Sequence, residues 1–181
     1  LPFLAPSFYG LDFAEVPMLV GTFALGPVAG IVMQIVKILI KLILKPTSTG
    51  FVGEFANVVM SCALILPAGF IYRFKKSKNG ALAGMAVGTV LMAVAGVVMN
   101  ALVMIPFYSN FMPIETIIKA GAAVNPAVSS VWTLAIFCVG PFNLVKGTLT
   151  SVITAVIYKR ISVLIHGASH GTSGSYGVKK A

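Results

Sequence analysis

The sequence predicts an all-α membrane protein. Its mean hydropathy is +1.00. Of its 181 residues, 58% are hydrophobic and only 9% are charged, where a soluble domain carries about a quarter. The apolar residues fall into runs suited to membrane helices, and the basic residues gather at the ends of those runs. Cations placed so set orientation in a bilayer, and they account for the net charge of +9 without any nucleic-acid partner. A chain of this length makes one membrane-embedded domain, read as 1–166, followed by a Gly/Ser-rich tail at 167–181 that is basic at its end.

The elements follow in order. Residues 1–15 contain Pro2, Pro6 and Gly10, which break a helix, and Phe3, Phe8, Tyr9 and Phe13, which keep the stretch apolar. It reads as a loop lying over the membrane surface, of the kind that covers a site. Val16 to Leu25 is a short apolar helix, ended by Gly26-Pro27 because proline disfavours the helical conformation in the residue before it. Val28 to Leu44 resumes as a second helix. Lys37, Lys41 and Lys45 lie on one stripe of it, with Gln34 one turn before Lys37. That stripe reads as facing a polar cavity or reaching for headgroups, in preference to direct ligand contact. Pro46, Gly50 and a Ser/Thr cluster mark a loop. Phe51 to Tyr72 is the next span, with Glu54 and Asn57 on one face of its first turns. Glu54 suits the positive end of the helix dipole, whereas local stability does not explain Asn57.

Arg73 to Asn79 reads RFKKSKN, the densest positive cluster, and marks the cytoplasmic side. Gly80 to Pro106 is an uncharged run long enough to cross a core of ~30 Å. Its Gly84 and Gly88 form a GxxxG that permits close helix contact, read as internal packing. Tyr108, Ser109, Asn110, Pro113 and Glu115 mark a polar loop, and Ile114 to Ala120 a short interfacial helix. Val128 to Val139 is too short to span and reads as re-entrant or interfacial. Gly140-Pro141 then reads as a break, with Pro141 in the first turn of a final span closed by Lys159 and Arg160. Counting from the RFKKSKN loop puts the C-terminus in the cytoplasm, Leu1 outside, and five membrane helices between them. A protein that begins in the cytoplasm needs one more helix before Leu1.

Chemistry concentrates on the final span. Asn143 and Lys146 share a helix face. A cation near a helix N-terminus opposes the macrodipole, so Lys146 reads either as the partner of an anionic or carbonyl-rich ligand or as a snorkelling side chain. Asn143, Lys146, Glu54, Asn57, Asn110 and the loop before Glu15 all fall toward the outer side, where converging polar groups make a substrate pocket. Cys62 and Cys138 lie in apolar runs and read as small buried hydrophobes. His166 and His170 lack neighbouring carboxylates, so no metal site is expected. There is no Walker motif and no nucleophile–base pair. The chain therefore reads as a binding or transport subunit rather than an enzyme.

The segments LDFAEVP (11–17), TFALGPVAG (22–30), FAN (55–57) and PFNLVKG (141–147) resemble the riboflavin-specific S component of energy-coupling factor (ECF) vitamin transporters, from Leu1 to about Ile165. The resemblance implies a six-helix membrane fold whose first helix precedes Leu1. It implies a flavin pocket open to the outside of a bacterial plasma membrane, with riboflavin as transported ligand and no cofactor. The partners it implies are a membrane T component and two ABC-type ATPases. Asn143, Asn110 and Lys146 would meet the polar edge of the isoalloxazine, since an amide offers both a donor and an acceptor. Thr22 and the backbone around Leu19 and Gly21 would meet ribityl hydroxyls or the ring, with Asn57 and Glu54 as further contacts. Phe142, Phe107 or Tyr108 would cover the dimethylbenzene end. Gly26, Ala29 and Gly30 would admit the T component closely. An S component for another vitamin and a purely structural membrane protein are the alternatives. A channel lacks a repeated polar ring.

Overall fold

The structure, a computed structural model, describes residues 13–45, 47 and 50–169, with side chains up to 158. The described residues form six helices. They are α1 (Glu15–Leu25), α2 (Pro27–Leu44), α3 (Val52–Phe74), α4 (Lys78–Tyr108), α5 (Ile114–Ala122) and α6, which begins at Val131 and runs on to Ser169. Four of them, α2, α3, α4 and α6, are long and apolar enough to cross a membrane. At 11 residues, α1 reaches only about 16 Å. The surface loop read over 1–15 lies almost entirely outside the described residues, as does most of the tail.

α1 and α2 are joined by Gly26, whose φ of 100° is a conformation that favours glycine. Its N–H donates to Thr22 O at 2.8 Å and closes α1, and Pro27 opens α2. Ser77 caps α4 by accepting from the Gly80 N–H. The core lies between α1, α3 and α4, where Leu19, Leu64, Ile65, Met85 and Met92 are buried. Gly84 and Gly88 serve that packing: a Cβ on Gly84 would lie 2.8 Å from Ala68 O, and one on Gly88 would collide with Leu64 O. The GxxxG of α4 is thus an internal contact with α3, as its sequence reading held.

The second half corrects the sequence reading. Gly140-Pro141 does not break the chain. Val131–Leu134 passes through a π-turn at Ala135–Val139 directly into the helix that starts at Gly140. Val128 to Val139 is therefore not a separate interfacial piece: from Val131 on it is the first part of a spanning helix, Val131–Tyr158. A proline inside a helix lacks an N–H and clashes with the carbonyl four residues back. The π-turn relieves this by widening the ladder: the Gly140 N–H donates to Ala135 O, five residues back. α4 uses the same device, with a π-turn at Asn100–Met104 ending just before Ile105-Pro106 and Ile105 N–H donating to Asn100 O. Lys146 consequently sits deep inside α6, not in its first turn. The macrodipole, which acts within the terminal turn, does not bear on it.

Candidate functional site

A cavity of about 460 Å³ opens at the end of the bundle opposite the α3–α4 turn. This volume falls in the range of small-molecule sites, roughly 300–1,000 Å³. Gly53, Ala56, Asn57 and Met60 of α3 form one wall, and Asn100, Met104, Ile105 and Tyr108 of α4 another. Thr116, Ile117 and Ala120 of α5, with Met112 and Leu134, close the rest. The lining is apolar and rich in methionine, a flexible side chain that conforms to irregular ligands. Its polar groups are few and spread over three helices: Asn57, Asn100, Tyr108 and Thr116.

Asn57 is held from behind. The Gln34 Nε2 donates to its Oδ1 at 3.1 Å, which leaves the Asn57 amide N–H groups as donors. Gln34 is fully buried on α2, so Asn57 links the cavity wall to a helix that does not line the cavity. Asn100 opens the π-turn of α4 and donates from Nδ2 to Gly96 O at 2.8 Å. Neither Asn100 nor Thr116 stands among the sequence-predicted site residues. A signal for Asn100 existed, since it is the one amide in the long apolar run of α4.

Beneath the cavity lies a buried charge cluster. Glu15 is fully buried at the start of α1. Its Oε1 accepts from Lys146 Nζ at 2.9 Å and from Ser61 Oγ at 3.2 Å, with Lys37 Nζ 3.9 Å away. Four helices thus meet at one carboxylate. The anion that Lys146 calls for is supplied within the chain. Nearer the open end, Glu54 Oε1 accepts from Lys41 Nζ at 3.3 Å and its Oε2 from Thr47 Oγ1 at 2.9 Å.

The remaining predicted residues fall as follows. Asn143 is buried, donates to Val139 O at 3.0 Å, and fills the space beside Gly96 next to Met60, a cavity residue. Asn110 is exposed and donates to Pro106 O and Phe107 O at the end of α4. Leu19 is in the core. Gly21 packs against Met33, and Thr22 against Gly30 and Gly69 where α1, α2 and α3 cross. Gly30 is buried there against Thr22 and Ile65, so its small size is used inside the chain; Gly26 is the hinge and Ala29 is half-buried. Of the aromatic candidates, Tyr108 lines the cavity, Phe107 packs on Phe111, and Phe142 is buried apart from the lining. Asn57 is thus the predicted polar residue that the cavity contains, with Asn143 directly behind its wall. Among the described residues no cluster of His, Cys, Asp and Glu is arranged to hold a metal.

A cavity of this size and lining suits a small molecule, and comparison with known proteins gives the family. The family model of the ECF transporter substrate-specific component matches residues 1–158. The chain belongs to this family. It is 30% identical over 162 residues to the riboflavin transporter RibU of Staphylococcus aureus, a match covering 90% of this chain and 79% of that protein. It is 26% identical to the riboflavin transporter FmnP of Bacillus subtilis over 86% of this chain and 78% of the relative. It is 24% identical to the riboflavin transporter RibU of Streptococcus thermophilus over 89% and 72%. As a member of the family it is a multi-pass membrane subunit for transport, not an enzyme, and it works with an energy-coupling module.

Proposed function

We propose that this S component binds riboflavin in the cavity between α3, α4 and α5 and takes it up with a T component and two ABC-type ATPases. The cavity carries the reading. Its volume of about 460 Å³, apolar methionine-rich walls and a few converging polar groups suit a planar heteroaromatic ring with one hydrogen-bonding edge. The Asn57 amide donates to a carbonyl of the pyrimidine ring. Tyr108 and the methionines cover the ring, and Thr116 serves the ribityl hydroxyls. Asn143 forms the backing layer, and the Glu15–Lys146 pair holds α1 against α6 below it. Riboflavin is cargo, so binding needs no cofactor. The cavity end faces outward and the C-terminus lies in the cytoplasm of a bacterial cell, because the cations at 73–78 stay inside.

Titration of riboflavin fluorescence tests this. The purified protein quenches it to a stoichiometric end point. Asn57→Ala weakens binding by roughly tenfold, within the ~1–3 kcal/mol of a lost buried hydrogen bond. Asn110→Ala, whose amide is committed to the end of α4, leaves the affinity within about twofold, as surface changes do. A protein that fails to quench riboflavin overturns the ligand assignment.

A further inference from the structure

The cytoplasmic end of the bundle holds a second, smaller cavity of about 110 Å³ between α1, α4 and α6. Phe23, Leu82, Met85, Ala155 and Tyr158 form its walls, and Lys78, exposed at the start of α4, completes the lining. Leu82 is half-exposed on the outer surface of the bundle, so the groove is open along that wall. The Tyr158 hydroxyl is engaged with that of Tyr72. The interior of the groove therefore suits hydrocarbon.

Its rim is strongly cationic. Arg73 in the last turn of α3 and Lys75 and Lys76 on the turn that follows are exposed, just before Lys78. Among the described residues no carboxylate stands at this end. Glu15 and Glu54 are paired with lysines elsewhere, and Glu115 lies on α5. Lys78 occupies the first position of α4, with no acid in that turn. A cation there opposes the helix dipole, so local helix stability does not account for it. One cation in the lining of an apolar groove, three more within five residues of it, and no carboxylate at this end among the described residues are complementary to a molecule that is anionic at one end and aliphatic at the other.

We propose that this groove binds one anionic phospholipid. An acyl chain lies against Phe23, Leu82, Met85 and Ala155, and the phosphate headgroup pairs with Lys78 and with Arg73, Lys75 and Lys76 just before it. Juxtamembrane cations on the cytoplasmic leaflet attract such lipids, and the groove converts that general attraction into one defined site.

Native mass spectrometry of the whole protein, titrated with phosphatidylglycerol or phosphatidylcholine of the same chains, tests it. Phosphatidylglycerol is retained in preference. Lys78→Gln lowers its occupancy about fivefold, the contribution of one basic residue near an anionic surface, and leaves phosphatidylcholine unchanged. Ala155→Trp fills the groove and lowers both; if that variant does not fold, Leu82→Gln at the exposed wall takes its place. Glycerol phosphate, a headgroup without chains, does not displace the lipid. Equal retention of the two lipids overturns the proposal, as does a preference that survives both substitutions. Displacement by glycerol phosphate reduces the site to an anion contact on the turn and also overturns it. So does unchanged lipid retention in a Lys78→Gln protein that has lost uptake, which would assign the face to a protein partner.

Discussion

Glu15 joins residues that the chain keeps far apart. Lys146 lies 131 positions away and Ser61 lies 46 away. Removing one member of a buried ion pair strands the other charge, at a cost of about 3–5 kcal/mol, whereas replacing both by apolar groups of similar size is often neutral. Glu15→Leu and Lys146→Met are therefore each expected to lower the thermal unfolding midpoint in detergent strongly, and the double variant to recover part of the loss, since Lys37, 3.9 Å from the carboxylate, still loses that counter-charge. Losses that simply add would show that the two side chains do not act as a pair. Half of this cluster is legible in the sequence. An intramembrane lysine demands a partner, and Asn143 and Lys146 fall on one face by spacing alone. Which of the few carboxylates answers is a tertiary fact, and helical periodicity carries no information across such separations. Asn57 was legible for the converse reason, as an amide in an apolar helix without a local role. Thr116 was not, because a threonine on an amphipathic helix looks like any solvated position.

Element boundaries show a similar split. Runs of apolar residues marked α1 to α5 closely, since their limits coincide with Gly26-Pro27, the 45–53 loop and the RFKKSKN turn. α6 was misjudged because Gly140-Pro141 signals a stop in an ordinary helix. The π-turn that neutralises this signal has no composition of its own. The close contact of α3 with α4 was legible in Gly84 and Gly88, and it makes an ordered prediction. A Cβ at Gly88 would overlap the Leu64 carbonyl, while one at Gly84 would stand 2.8 Å from Ala68 O and 3.0 Å from its Cα. Both obstacles are backbone and yield only if the helices part. Gly→Ala inside a helix ordinarily gains up to about 1 kcal/mol. Here overpacking, typically about 1–3 kcal/mol, opposes that gain. Gly88→Ala is expected to lower the unfolding midpoint more than Gly84→Ala. A stabilised Gly88→Ala protein would mean that α3 and α4 do not meet at this distance.

Across the whole molecule, charge and cavities are divided between two ends. The larger cavity, with the Glu54–Lys41–Thr47 contacts near its mouth, occupies one end. The α3–α4 junction bearing Arg73, Lys75, Lys76 and Lys78 occupies the other. Short basic loops stay on the cytoplasmic side, so under the function proposed above the cavity is expected to face the outer medium. Single cysteines report the orientation directly. With Cys62 and Cys138 replaced by alanine, Ser77→Cys tests the basic turn and Asn110→Cys the exposed end of α4 beside the cavity. Both native positions are exposed; the change at 110 disturbs little, and Ser77→Cys gives up an N-cap hydrogen bond worth about 1 kcal/mol, which does not reorient the bundle. In intact cells a membrane-impermeant maleimide is expected to label Cys introduced at 110 and to reach that at 77 only after permeabilisation. The reversed pattern would turn the cavity mouth toward the cytoplasm. Uptake would then begin from a site facing the wrong compartment, and the binding step proposed above would describe release instead of capture.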